Sequence, residues 1–220
     1  QTNSVLYENT KLIKIHSINS ELADSLLRFN IKPISCRTAI AHSDLIVDDR
    51  TIDWLKDNNI AFSLLSNDVK QMIDLQMEKI QIKKNNRSSN WFSTYRELDE
   101  IENKIENIVE TSQIVSKELI GQSYEGRDIA AIKISVDNGI ANKPSIVING
   151  CQHAREWITP MVTTYLIEKL AQDYISVNEI TTFLDNVDIH IIPVVNPDGY
   201  VYTWEQDRWW RKNRQINNGS

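Results

Sequence analysis

Residues 145–157 read Ser-Ile-Val-Ile-Asn-Gly-Cys-Gln-His-Ala-Arg-Glu-Trp, a stretch that combines a strand with a chemical motif. The apolar run 145–148 predicts a short strand, and His153 and Glu156 follow it, three residues apart. An imidazole nitrogen and a carboxylate oxygen are good zinc ligands, and this offset on a first helical turn points them the same way. Arg155 lies between them, and a fixed cation beside a metal is favourable only if an anion also binds there.

The composition is that of an ordinary soluble globular protein, with 41% hydrophobic and 25% charged residues in 220. A formal net charge of −6 argues against nucleic acid or an anionic membrane as a partner. No apolar run approaches the roughly 18 residues of a membrane span. The two cysteines, Cys36 and Cys151, are too few for a disulfide framework, and two buried thiols are favoured over a bridge.

The first eighty residues alternate between strand and helix patterns. Strands are predicted at 11–16, 34–41, 44–48 and 61–66. Helices are predicted to begin after Asn19 or Ser20, after Asp49 or Thr51, and at Asp68, because each of these residues can cap a helix that carries one apolar stripe. The order βαββαβ followed by a linking helix predicts a small α+β domain, an antiparallel open sandwich.

Residues 83–90 contain no apolar side chain and mark the best domain boundary in the chain. The tract is basic and polar, and trypsin-like proteases cut such exposed sequences. It also contains a glycosylation sequon at Asn86-Arg87-Ser88, which is compatible with secretion. The alternative interpretation of the tract is an ordinary solvated loop.

The second half predicts an α/β domain with a mixed sheet. A helix is expected around 98–109, strands at 117–122, 128–135 and 145–149, and a helix from Glu156 or Trp157 to Ala171. The apolar run 187–195 predicts a strand buried on both faces. Ligands of such sheets gather beyond the carboxyl ends of the strands, which is where His153 and Asn196 fall.

Four segments in the same order resemble the pancreatic-type zinc metallocarboxypeptidases. They are Gly121-Gln122-Ser123-Tyr124-Glu125-Gly126-Arg127, His153-Ala154-Arg155-Glu156-Trp157, Asn196-Pro197-Asp198-Gly199-Tyr200 and Arg208-Trp209-Trp210-Arg211-Lys212. The resemblance is strong from about Trp91 onward, and before it only the pattern of elements matches. It implies that residues 1–82 are an activation propeptide, 83–90 the cleaved linker and 91–220 the N-terminal part of a zinc carboxypeptidase domain.

The resemblance also implies the roles of four residues. His153 and Glu156 would be two of the three ligands of one Zn²⁺, Arg155 would bind peptide away from the scissile bond, and Arg211 would polarise the scissile carbonyl. The partners implied are the C-termini of peptides or proteins, with the propeptide as the enzyme's own inhibitor. The location implied is extracellular, or the vacuole or cell wall in a fungus.

In that family the third zinc histidine, the residues that grip the terminal carboxylate, the mobile tyrosine and the general-base glutamate all lie beyond the position of residue 220. A hydrolase without its base is inactive, and two ligands hold zinc weakly. We therefore expect the full-length protein to be a metallocarboxypeptidase and the 220 residues alone to be inactive.

Each assignment has a simpler alternative. His153 could be a satisfied loop histidine, and Arg211 could belong to a solvated basic surface. The segments 124–126 and 196–199 are interpreted as turns that serve as scaffold. His190 lies within a predicted strand, where a core or sheet-edge histidine is favoured over a third ligand, and His16 and His42 are poorer still.

A second class of function remains open. The run 200–215 resembles fungal metallocarboxypeptidase-like proteins of cell-wall organisation, which keep the zinc ligands and lose the catalytic glutamate. A third hypothesis, a protease-inhibitor-like module, does not explain the four segments after Trp91.

Overall fold

The computed structural model describes residues 6–29, 31, 34, 43–86 and 88–216. The chain forms two compact units, Gln1–Asn85 and Asn86–Ser220. The interpretation of the first unit as an activation propeptide stays a prediction.

The first unit is built on an antiparallel sheet with the strand order β2-β1-β3. Its elements are β1 (Thr10–Ile15), α1 (Ser20–Arg28), β2 (Ser43–Asp48), α2 (Asp49–Asp57), β3 (Phe62–Ser66) and α3 (Val69–Asn85). These elements confirm the predicted strands and helices, and the first residue of each lies within two positions of the predicted one. The further strand predicted at 34–41 lies outside the described residues, apart from residue 34.

Alternating residues of the first sheet form its core. Ile13 and Ile15 on β1 pack with Leu45 and Val47 on β2 and with apolar side chains of α1 and α2. Asn19 caps α1 as predicted, since its side chain accepts a hydrogen bond from Leu22 N at 2.8 Å.

The cap of α2 is neither of the two predicted residues, Asp49 and Thr51. The capping residue is Asp48, whose carboxylate accepts hydrogen bonds from both the amide and the hydroxyl of Thr51. These bonds, the hydroxyl bond foremost, outweigh the effect of burial and lower the pKa of Asp48 from its ordinary value.

The second unit contains a mixed sheet with the order β4-β5-β7-β6, in which only the pair β6–β7 is parallel. This confirms the predicted α/β class. Its elements are a 3₁₀ turn (Trp91–Ser93), α4 (Leu98–Thr111), β4 (Val115–Gln122), β5 (Asp128–Ile134), β6 (Ser145–Asn149), α5 (Ile158–Asp173), α6 (Asn178–Asn186), β7 (Asp188–Ile192) and α7 (Pro197–Glu205).

Two helices and one strand end differ from the sequence analysis. The helix α6 was not predicted, and the segment interpreted as a turn at 196–199 is the start of α7, with Asn196 as its cap and Pro197 in its first turn. The strand predicted at 187–195 is β7, which ends at Ile192. Alternate residues of β7 are fully buried and the others are partly exposed.

Aromatic packing joins the start of α5 to α7. The indoles of Trp157 and Trp204 stack at 3.9 Å with an angle of 5° between their planes. Trp157 also donates its Nε1 hydrogen to Thr203 at 2.7 Å, so the residue before α5 is tied to α7.

The helix α3 continues through Lys83 and Lys84 to Asn85, so the first three residues of the predicted linker are helical. Within the described ranges, no helix combines the length and the apolar content that a membrane crossing requires.

Candidate active site

The parallel strands β6 and β7 end side by side and place two loops at the same edge of the sheet. Asn149 lies opposite Ile192, and Gly150 N donates to Ile192 O at 2.8 Å. A side chain at Gly150 would bring its Cβ to 2.6 Å from the carbonyl oxygen of Pro193, so the close approach requires glycine. The loops that follow the strands therefore start from fixed positions.

His153 and Glu156 meet within the first of these loops. Nδ1 of His153 lies 2.9 Å from Oε1 of Glu156, and the amide of Glu156 donates to His153 O at 3.1 Å. The two residues form a turn ahead of α5 and not its first turn, because α5 begins at Ile158. Their side chains are 37% and 34% exposed, which leaves the pair open to a ligand.

The pair fits a zinc ion in donor type. The two donor atoms lie 2.9 Å apart, closer than the roughly 3.3–3.6 Å between two ligands of a tetrahedral zinc ion, so the side chains would have to move apart to admit the ion. In the part of the chain that the structure describes, no group of three or more His, Cys, Asp and Glu is placed to hold a metal. A zinc site on this pair therefore needs a further ligand.

Arg211 reaches the same carboxylate from a distant part of the chain. Its Nη1 lies 3.1 Å from Oε1 of Glu156, the atom that also faces His153. Ala154 N donates to Arg211 O at 3.1 Å, which ties the backbone around Arg211 to the loop of the histidine. A permanent cation, a carboxylate and an imidazole thus converge on one partly exposed spot.

Arg155 lies beside this spot and is engaged by the segment that leads to Arg211. Its Nη1 donates to Trp209 O at 3.3 Å, and Arg208 donates to Arg155 O at 3.1 Å. The guanidinium carbon of Arg208 lies 3.6 Å from the ring centre of Trp157, a cation–π contact that orders this segment.

The sequence predicts a separate turn in each of the remaining two motifs, but the structure joins the motifs through Asp198. This carboxylate is 2% exposed and accepts hydrogen bonds from Ser123 Oγ at 2.6 Å, Glu125 N at 2.8 Å and Arg127 Nη1 at 2.7 Å. Burial alone would raise the pKa of Asp198, but these bonds outweigh burial and lower it from its ordinary value. The sequence offered one signal for this contact, namely the opposite charges of Asp198 in one motif and Arg127 in the other.

Cys151 begins the loop but is not placed for nucleophilic chemistry. It is a free, buried thiol with a φ of 53°, and its amide donates to Thr159 Oγ1 at 2.8 Å. Burial, and after it the charge of Glu156, raise the pKa of the Cys151 thiol far above its ordinary value. The thiol therefore stays protonated at neutral pH. Cys36 lies outside the described residues.

The other histidines lie elsewhere. His190 is in the middle of β7, opposite Val147 on β6 and Lys133 on β5. His16 hydrogen-bonds Ser63 at 2.7 Å in the first unit, and His42 lies outside the described residues.

Comparison with known proteins identifies the family to which this chain belongs. Residues 101–220 match the peptidase M14 family, described as zinc carboxypeptidase. Because the match covers more than half of the chain, the chain belongs to the zinc carboxypeptidase family.

Individual relatives agree with the family. Carboxypeptidase A2 of Mus musculus is 35% identical over 170 residues, which are 76% of this chain and 40% of the relative. Metallocarboxypeptidase A of Arthroderma otae is 40% identical over 132 residues, which are 60% of this chain and 31% of the relative. The crystal structure of the carboxypeptidase A from Helicoverpa armigera superimposes with a TM-score of 0.82 at 27% identity, covering 98% of this chain and 55% of that one. The chain thus spans about half or less of the length of these relatives.

Proposed function

We propose that the full-length protein is a zinc-dependent carboxypeptidase precursor that hydrolyses the last peptide bond of peptides or proteins. The observation that carries this proposal is the convergence of His153 Nδ1 and Arg211 Nη1 on Oε1 of Glu156, at 2.9 and 3.1 Å. Membership of the zinc carboxypeptidase family supports the same activity.

His153 and Glu156 would hold one zinc ion, together with a third ligand that we expect beyond residue 220. Zinc, when bound, polarises a carbonyl and lowers the pKa of a water molecule. Arg211 would donate to the oxyanion that develops on the scissile carbonyl, and Arg155 would bind the peptide farther from that bond. A single such donor is worth about 3–4 kcal/mol in transition-state stabilisation.

We also propose that residues 1–82 are an inhibitory propeptide and that the protein is secreted. In a fungus, its destination would also include the vacuole or the cell wall. The polar tract 83–90 and the sequon at Asn86 support this, as does the resemblance to precursors that are cut at the corresponding place. Uncleaved protein is then expected to be much less active than protein cleaved in this tract.

The test measures zinc content and activity of the full-length protein before and after cleavage with trypsin. We expect one zinc per chain and release of the C-terminal residue from at least one of three sets of peptides, which end in apolar, basic and acidic residues. A chelator should abolish the release, and added zinc should restore it.

Glu156→Gln should reduce bound zinc after dialysis to a small fraction, because an amide oxygen is a far weaker zinc ligand than a carboxylate. Glu179→Gln, on the exposed first turn of α6, is the matched control and should retain the metal. One bound zinc without any release of residues would refute the enzyme and favour the inactive zinc-binding protein of cell-wall organisation. Full zinc retention by Glu156→Gln would refute the metal site.

A further inference from the structure

Asn196 joins the turn after β7 to the segment that carries Arg211. Its side chain is almost fully enclosed, with 8% of the residue exposed. The oxygen Oδ1 accepts a hydrogen bond from Gly199 N at 3.0 Å, in the first turn of α7. The nitrogen Nδ2 donates to the backbone carbonyl of Lys212 at 3.0 Å.

The neighbouring carbonyl is held from the other loop. Ala154 N donates to Arg211 O at 3.1 Å. The loop after β6 therefore binds the carbonyl of Arg211, and the loop after β7 binds the carbonyl of Lys212. The strand ends are themselves joined, because Val195 N donates to Gly150 O at 3.0 Å. The position of Arg211 is therefore set by the same two strands that place His153 and Glu156.

Gly199 packs closely against the hydrogen bond between Asn196 and Lys212. A Cβ on Gly199 would lie 2.6 Å from Asn196 Nδ2 and 2.6 Å from Lys212 O. A helix N-cap requires only an acceptor, whereas Nδ2 of Asn196 is a donor and binds the Lys212 carbonyl. Aspartate and serine would cap α7 equally well but could not supply this donor in the same geometry.

We propose that Asn196 is a positioning residue that aims the Arg211 guanidinium through the Lys212 carbonyl. The inference rests on the proposed function, in which Arg211 donates to the oxyanion. Such a donor is effective only within about 2.7–3.1 Å of the developing charge, so a displaced backbone at residues 211–212 costs rate even though Arg211 is still present.

The variant Asn196→Asp keeps the cap of α7 and replaces the donor by an oxygen that faces the Lys212 carbonyl. In the full-length, cleaved and zinc-loaded protein, we expect kcat to fall about 10- to 100-fold with KM within about twofold, as for loss of a transition-state contact. The double variant Asn196→Asp with Arg211→Gln should be no slower than Arg211→Gln alone. An equal further fall in the double variant would show that Asn196 acts elsewhere and would overturn the proposal.

Asn186→Asp is the matched control, because Asn186 also donates to a backbone carbonyl, that of Thr182 at 2.8 Å, but on the exposed end of α6. Its kcat should equal that of the parent protein. If Asn196→Asp does not fold, Asn196→Ser is the second variant, because serine can still cap α7 while its hydroxyl sits on a shorter side chain than the Asn196 Nδ2 that reaches the Lys212 carbonyl.

A second measurement does not depend on activity. Hydrogen exchange of the Ala154 amide, which is bonded to Arg211 O, should accelerate at least tenfold in Asn196→Asp, while the amides of β7 keep their rates. Unchanged exchange at Ala154 overturns the positioning role. A parent protein that releases no residue overturns the proposed function instead, and the exchange result still decides the role of Asn196.

Discussion

At the scale of single residues, Asp198 shows how a buried charge can organise two distant segments. Three donors surround its carboxylate: the Ser123 hydroxyl, the Glu125 amide and the Arg127 guanidinium. Arg127 donates at the same time to Glu125 at 2.5 Å, so the turn before β5 is closed by charges of both signs. Because a carboxylate can accept all of these bonds and an amide cannot, charge and not shape alone is required at this position.

The variant Asp198→Asn should lower the free energy of unfolding by about 2–4 kcal/mol, since it leaves Arg127 without its buried partner. Chemical unfolding at pH 7 measures the loss. Asp137→Asn, at an exposed position, is the control and should change stability by less than about 0.5 kcal/mol. An Asp198→Asn variant as stable as the control would contradict the role given to this carboxylate.

The pH dependence of the parent protein follows from the same residue. Since the folded pKa of Asp198 lies below its ordinary value of 3.8, its stabilising contribution is present above pH 3.8 and is lost as the pH falls through the lower folded value. The stability difference between the parent and Asp198→Asn should therefore shrink below pH 3.8. A difference that stays constant down to pH 2 would show that the charge of Asp198 is not what stabilises the fold.

At the scale of elements, the parallel pair β6–β7 is the feature that assembles the site. The pair brings the loop after Asn149 beside the loop after Ile192, and glycine at position 150 lets the two chains approach. The obstacle to a larger residue is the backbone carbonyl of Pro193, which cannot rotate away as a flexible side chain could.

Gly150→Ala should therefore lower the free energy of unfolding by about 1–3 kcal/mol through overpacking. Gly121→Ala on β4 is the matched control, because no atom lies within 4 Å of the Cβ that would be added there. Thermal and chemical unfolding of both variants decide the comparison. Equal stability of the two would indicate that the strand ends can separate without cost.

The sequence predicted the elements with strong periodicity and missed those that depend on packing. The segment 196–199 carries turn residues, and Pro197 and Gly199 are equally suited to a turn and to the first turn of a helix. The helix α7 forms because Tyr200 and Trp204 are buried against the rest of the unit, which no local pattern shows. The helix α6 contains Thr181 and Thr182, whose branched side chains lower helix propensity.

The sequence predicted which residues belong to the candidate site, but it did not predict the contacts between distant ones. The spacing of His153 and Glu156 predicted that both point the same way from a first helical turn; the structure places their side chains in contact, but in a turn ahead of α5. The contact of Arg211 with Glu156 spans 55 positions in the sequence, so no local spacing could have predicted it. The roles of these residues in metal and substrate binding stay predictions.

At the scale of the whole molecule, the boundary between the two units lies at Asn85 and Asn86. The second unit begins with its own anchor, in which Asn90 accepts from Phe92 N at 2.8 Å and Arg96 donates to Trp91 O at 3.0 Å. Cleavage ahead of Asn90 therefore leaves these contacts intact.

Limited digestion of the full-length protein with trypsin should cut first after Arg87, giving a product that starts at Ser88. Lys83 and Lys84 lie within α3, and a protease needs an extended chain, so the bonds after them should be cut more slowly. N-terminal sequencing identifies the product. Arg87→Gln should slow the first cut and Lys84→Gln should not, whereas a main product that begins at Lys84 or Asn85 would contradict the prediction.

The parallel stack of Trp157 on Trp204 has an optical consequence. Two indoles this close and with planes this nearly parallel couple electronically, and a rotation of one ring over the other within these planes produces an exciton couplet in circular dichroism that single tryptophans do not show. Since the ring of Trp157 also carries the guanidinium of Arg208, the couplet would respond to any shift of the segment that leads to Arg211. The protein thus contains a built-in, label-free spectroscopic reporter beside its candidate active site.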